Sequence, residues 1–355
     1  MTRRALALVA VTAALALPGW AGSASAATPP GTIVAKGLTL PTNIAFDPAG
    51  GMWITTGTTG ERVSTDGVWH VPFPGAAPVQ VVPGLYSPLG LTWYGGELYV
   101  ASIVGFTTGI VTAYSDFDGR TFLHHRVVLP YVPVGRFTLD SIVPGPGGRL
   151  YMGVGAERDH QRSGHAQSGT VLSFRPDGTG ERIEARGFRD PFGIAFIPGT
   201  RALLVDDDGR DDLGLLRAPE ELNVVPDVAR GGARDFGFPD CWGQGGQACH
   251  GTLPAIVRFP AHASTAGLVV APATVTHGPT AYVAENGSSL SELRVGDDIR
   301  IVRLRRTLNG LWRGKKVGRI TGFAHRDPLG LALGPDGALY LTLLISGEVL
   351  RIPVR

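Results

Sequence analysis

Five carboxylates crowd into seven residues in the stretch Val205-Asp-Asp-Asp-Gly-Arg-Asp-Asp212. Oxygen donors this dense suit a hard cation such as Ca²⁺. Asp207, Asp208 and Asp211 would supply side chains, and the backbone at Gly209 and Arg210 would supply carbonyls. A solvated polar turn is the competing reading of the same residues. Upstream, Arg189 and Asp190 lead into the apolar run Pro191-Phe-Gly-Ile-Ala-Phe196. Two histidines lie before them in Asp159-His-Gln-Arg-Ser-Gly-His165. Imidazole titrates near neutrality and suits proton transfer. An ordinary surface loop is the plainer reading of His160 and His165. His262, in Pro260-Ala-His262, reads as a residue that packs or caps a loop.

The elements that must hold these residues repeat along the chain. A polar or proline lead-in is followed by a short apolar run, a Gly/Pro/Asp turn and a second apolar run. The copies are Pro41–Ile54, Pro88–Val100, Leu139–Met152, Pro191–Leu204 and Pro328–Leu341. Their anchors Ile44, Leu91, Ile142 and Ile194 are spaced by 47, 51 and 52 residues, and Leu331 follows after 137. That last gap holds two longer units, and Pro279–Gly287 is assigned as the degraded fifth copy. Third strands follow at Gly67–Pro72, Gly109–Tyr114, Gly169–Phe174, Ile299–Leu304 and Gly347–Ile352. Four short strands every fifty residues or so make a propeller blade. The expectation is an all-β, six-bladed β-propeller of four-stranded antiparallel blades. The early strand Thr32–Lys36 is expected to complete the last blade and close the ring. No amphipathic helix of useful length interrupts the pattern, and Pro219–Asn223 reads as a turn.

Composition agrees with tight turns and strands: 51 glycines, 27 prolines and only 17% charged residues. Arg3 and Arg4, the apolar stretch Ala5–Pro18 and the sequence Ala24-Ser25-Ala26 read as a signal peptide over residues 1–26. The expected location is secreted or extracellular, with residues 27–355 as one domain. Losing the two arginines brings the formal net charge of +2 to about zero. That balance gives no reason to expect nucleic acid or an anionic membrane as partner. Cys241 and Cys249 close a glycine-rich loop and are expected to form a disulfide in an exported chain.

Several short motifs stand in series: Arg189–Phe196, Asp207–Asp212, Pro219-Glu-Glu-Leu-Asn223, Phe236-Gly-Phe-Pro-Asp-Cys241 and Pro260-Ala-His-Ala-Ser264. This series resembles the soluble quinoprotein glucose/sorbosone dehydrogenase family. The resemblance implies a six-bladed propeller with pyrroloquinoline quinone and Ca²⁺ at the channel mouth. It implies a sugar substrate that gives a hydride to the quinone while a histidine takes a proton. Arg189 matches the family's arginine beside the quinone, with Asp190 next to it. Arg294 and Arg326 are the approximate counterparts of cations that would hold the quinone carboxylates. Two positions depart from the pattern. Asp190 replaces the family's usual asparagine and would repel an anionic cofactor. Phe137 occupies the place of the histidine base, so His160 or His165 would have to serve instead.

Three functions fit these residues. The first is a quinone- and Ca²⁺-dependent sugar or aldose dehydrogenase. The second is a Ca²⁺-dependent lactone hydrolase, with the Asp206–Asp212 loop, Asn43, Glu285 and Asn286 as oxygen donors. The third is a propeller that binds a carbohydrate or a protein without catalysis.

Overall fold

A computed structural model describes residues 30–57, 66–288 and 295–354. The targeting segment and Arg294 lie outside the described residues. Six sheets surround a central channel. Their inner strands are Pro41–Phe46, Gly90–Tyr94, Leu139–Gly145, Ile194–Phe196, Thr265–Ala271 and Pro328–Leu333. We number the blades 1 to 6 in that order. Among the described residues no helix is long and apolar enough to cross a membrane.

The repeat anticipated this ring, with one misplacement. The inner strand of blade 5 is Thr265–Ala271, and Thr280–Glu285 is the second strand beside it. The segment Ala266-Gly267-Leu268 follows the same pattern as Leu89-Gly90-Leu91 and Phe192-Gly193-Ile194. The absence of a proline before it hid the copy. Part of the supposed turn Pro219–Asn223 belongs to the third strand of blade 4, Glu221–Val225. Blade 3 carries an extra short strand, Arg234–Asp235, parallel to Arg182–Arg186. Thr32–Lys36 pairs antiparallel with Glu348–Ile352, so the N-terminal strand closes blade 6 as expected. Cys241 and Cys249 are disulfide-bonded, with Cα atoms 4.9 Å apart.

Each blade buries both faces against its neighbours, so the core is divided among six interfaces. Trp53 and Val68 meet Leu91 and Val100 between blades 1 and 2. Leu204 and Leu222 meet Val283 and Val302 between blades 4 and 5. Close to the axis the contact becomes backbone on backbone. A Cβ on Gly90, Gly193, Gly267 or Gly330 would lie 2.2–2.4 Å from the carbonyl oxygen of Asp140, Ala266, Leu329 or Thr42 on the next blade. In blade 1 the matching residue, Asn43, donates its Nδ2 to the Leu89 carbonyl at 2.9 Å. In blade 3 the Ser141 N–H donates to the Phe192 carbonyl at 3.2 Å. The same position thus touches the following blade all round the ring. Leu89, Phe192, Ala266 and Leu329 cluster at this level and separate the two mouths of the channel.

Candidate functional site at the channel mouth

One mouth contains two adjoining hollows of about 250 and 460 Å³, which share Asp190, Asp208, Ser264 and Asn286. Volumes of this order suit a small molecule. Blade 4 supplies the arginine and all the carboxylates of the wall, through the lead-in to its inner strand and the loop after its second strand.

Asp207 ends that second strand and accepts the backbone N–H groups of Arg189 and Asp190 at 2.9 and 2.8 Å. Asp206 accepts the Gly193 N–H at 2.7 Å. These two carboxylates bend the chain so that Arg189 and Asp190 reach the mouth. Asp208 accepts from the hydroxyls of Ser264 and Thr265 at 3.1 and 2.9 Å, which ties blade 4 to blade 5. Glu220, 2% exposed, accepts the Gly209 N–H. His262 and Ser264, in the facing loop, have φ of 63° and 51°. Such values are strained for residues with a Cβ and are held only by their surroundings.

Arg189 is 3% exposed. It donates through Nε to Asp159 at 2.9 Å, through Nη1 to the Gly209 carbonyl at 2.7 Å, and through Nη2 to Asp211. Phe137 covers its face, with the ring centroid 4.6 Å from the guanidinium carbon. Burial acts to lower its pKa, but Asp211 and Asp159 outweigh that and raise it. The guanidinium is therefore fully charged and already engaged.

The surrounding carboxyls are pushed the other way. Burial, reinforced by the charge of Asp208, raises Asp190 to about 7. Burial raises Asp208 to about 6, although Arg189, Thr265 and Ser264 pull it down. Asp140, Asp206, Asp207 and Glu220 are raised well above the usual carboxylate range, with burial first in each case. Asp140 and Asp190 lie within hydrogen-bond reach of one another and share protons as a pair. One oxygen each of Asp140 and Asp206 has no protein donor.

Of the residues singled out in the sequence, Arg189, Asp190, Asp208 and Asp211 line this mouth. Asp207 stands behind it as a backbone clamp, and Gly209 turns its carbonyl to Arg189. Arg210 turns away to Asp212 and the Pro239 carbonyl. His160 is half exposed, 3.8 Å from Asp159 and 3.9 Å from Asp212, and does not line the mouth. His165 binds Glu157 at 2.8 Å and faces a separate cavity of about 480 Å³ beside Arg186 and Phe238. Arg326 pairs with Glu348 at 3.5 Å and lines neither hollow.

On sequence alone, His262, Glu220 and Asp140 have no site role, and Asn286 is offered only as an oxygen donor for a metal. His262 lines the smaller hollow. Its ring nitrogens lie 3.2 Å from Asp211 and 3.3 Å from the Gly214 carbonyl. Asn286 presents an Nδ2 with no partner. Glu220 sits inside a motif that was noticed but given no role. Asp140 occupies the inner-strand position held by Leu89, Phe192 and Leu329 in other blades. A charge at that step of the repeat was the available signal.

Asp207 is committed to backbone N–H groups, Asp208 to hydroxyls, and Asp211 to Arg189 and His262. Among the described residues no three His, Cys, Asp or Glu side chains are arranged to hold a metal ion. A quinone bearing three carboxylates meets Asp190, Asp208, Asp211 and Glu220, with one arginine that is already engaged. The residues present do not fit it.

No family model matches the sequence. A putative oxidoreductase (glucose dehydrogenase) from Thermus thermophilus superposes with a TM-score of 0.71 at 23% identity, over 90% of this chain and 98% of that one. The chain has the fold of the soluble sugar dehydrogenases. The quinone-bound aldose sugar dehydrogenase of Streptomyces coelicolor gives 0.68 at 18% identity, over 90% and 96% of the two chains. The soluble aldose sugar dehydrogenase of Escherichia coli gives 0.67 at 18%, over 91% and 99%. An uncharacterized protein of Borreliella burgdorferi is 22% identical over 203 residues, which is 52% of each chain. The match thus spans about half the length of that curated relative.

Proposed function

We propose that the channel mouth binds a small hydroxyl-rich molecule, a sugar, and that the chain is a secreted sugar-binding propeller that no longer carries out quinone-linked oxidation. The observation behind this reading is the chemistry of the wall. Asp190, Asp208, Asp211 and Glu220 offer acceptors around an arginine whose donors are engaged. A sugar offers many hydroxyl donors, and carboxyl oxygens accept them whether or not the group is ionised. Asn286 supplies a spare donor for a ring or hydroxyl oxygen. The dehydrogenase fold supports a sugar as the ligand class. Phe137, which packs over Arg189 where the resemblance implies a histidine, supports binding without a proton-accepting base.

The lactone hydrolase reading loses two of its donors. Asn43 is bound to Leu89 in the blade interface, and Glu285 pairs with Arg300 at 2.9 Å. The test is calorimetric titration of the purified protein with a panel of aldoses, followed by reconstitution with pyrroloquinoline quinone and Ca²⁺. Sugar binding is expected, with no quinone absorbance change and no dye reduction. Sugar-dependent dye reduction after reconstitution would overturn the proposal and establish the dehydrogenase. A panel that gives no heat at all would refute the sugar site.

A further inference from the structure

The near-neutral total charge conceals one strongly basic face. The outer strands of blade 5, Asp298–Arg306 and Trp312–Ile320, are nine residues each. They carry Arg300, Arg303, Arg305, Arg306, Arg313, Lys315, Lys316 and Arg319, a quarter of the 32 Lys and Arg in the whole chain. Asp298 is their one carboxylate.

Half of these cations have local work. Arg300 pairs with Glu285 and Asp298 at 2.9 and 3.1 Å, and Arg319 with Asp298 at 3.6 Å. Lys316 donates to the Arg258 carbonyl at 2.9 Å, and Arg306 to the Gly310 carbonyl at 3.1 Å. Arg303, Arg305, Arg313 and Lys315 are exposed, and among the described residues none has a carboxylate partner.

These four form an array. Arg303 stands directly opposite Lys315, and Arg305 opposite Arg313. Alternate residues of a strand share a face, so both pairs project from one side of the sheet. The pairs are about 5 Å across and about 7 Å apart along the strand. Ile299 and Ile301, on the same face, pack into the core shared with blade 6. The array therefore continues that side outward, past the end of the apolar contact.

Like charges directly opposite destabilise a sheet. Cations on an outermost strand do discourage edge pairing. That accounts for Arg313 and Lys315. It does not account for matching cations on the penultimate strand, where alternating signs would protect the edge without repulsion.

We propose that this face of blade 5 binds an acidic polysaccharide. A row that follows a strand suits a linear chain, and guanidinium forks pair with carboxylate groups in two-point fashion. The Cys241–Cys249 disulfide suits an oxidising compartment outside the cytosol, where nucleic acid is scarce. The nearest aromatic rings cannot stack a base, since Tyr282 is buried in the core shared with blade 6 and Trp312 packs against the interface core of blades 4 and 5.

The test uses the whole chain with polygalacturonate as probe, in 20 mM and 150 mM salt. Random-sequence duplex DNA and phosphatidylglycerol vesicles are parallel arms. The quadruple variant R303S/R305S/R313S/K315S is compared with R120S/R182S/R217S/R234S, which removes the same charge at exposed positions elsewhere. Thermal midpoints confirm that both variants fold. If the array variant does not fold, the pairs R303S/K315S and R305S/R313S replace it. Polygalacturonate is expected to bind at low salt and weaken steeply at the higher salt. The array variant should lose at least tenfold, and the remote variant less than twofold. Absence of binding at low salt, equal loss in both variants, or tighter binding to DNA or vesicles would each overturn the proposal.

Discussion

Replacing Asp190 with asparagine probes the mouth with almost no change in shape. Asp190 and Asp140 face one another, and one oxygen of Asp140 has no protein donor. Burial and Asp208 raise Asp190 from 3.8 to about 7. The folded chain therefore keeps a proton that the unfolded chain releases between about pH 4 and 7. Stability must fall as pH rises through that window, and the loss is complete above pH 7. That difference corresponds to at most about 4 kcal/mol. Asp190 borders an open hollow, so screening should leave about 1–3 kcal/mol. Asparagine cannot ionise, and its amide gives Asp140 a permanent donor. Asp190→Asn should match the parent at pH 4.5 and exceed it by about 1–3 kcal/mol at pH 8. For a chain of this size that is a rise in melting temperature of about 2–6 °C. Thermal melts followed by circular dichroism across pH 4.5–8.5 would measure it. The reasoning fails if the shift is the same at both ends of the range, or if the variant is less stable at pH 8.

Other substitutions address the ring, the staple and the binding wall. Gly267→Ala would put a Cβ 2.4 Å from backbone atoms of Leu329 and Leu331 and should cost about 3 kcal/mol in chemical denaturation. Gly164→Ala, with nothing within 4 Å, should be near neutral in the same assay. Replacing Cys241 and Cys249 with serine should lower stability in urea by about 2–3 kcal/mol while sugar affinity, read by calorimetry, stays the same. Asp208→Asn should weaken sugar binding about tenfold or more through loss of a charged acceptor. His165→Ala, in a different cavity, should leave that binding unchanged.

The ring was legible because its signal is repeated. An apolar anchor, a turn and a second apolar run recur wherever a blade needs an inner hairpin. Where proline was missing before Thr265, the copy was placed on the neighbouring strand instead. The mouth was legible in part. Arg189, Asp190 and the acidic loop were found because charges beside an inner strand are out of place in a repeat of apolar residues. Their work was not legible. Whether Asp207 meets a ligand or two backbone N–H groups depends on how the lead-in to blade 4 bends. His160 and His165 drew attention by residue type, but the loop after the second strand of blade 3 carries both outward. His262 reaches the mouth from blade 5 along a left-handed turn that residue type does not announce.

The pairing of Thr32–Lys36 with Glu348–Ile352 also sets an order of events. Its partners are more than three hundred residues apart, so no local contact can form it early. Blades can assemble one after another as the chain emerges, but the disc is an open arc until Glu348–Ile352 is delivered. Until then, blade 6 lacks its last two strands and presents a bare edge. A chain cut before Glu348 would keep every mouth residue and still lose the hoop tension that holds them in place. It should breathe at the seam between blades 6 and 1, which hydrogen exchange would report first at Thr32–Lys36 and Leu339–Leu343.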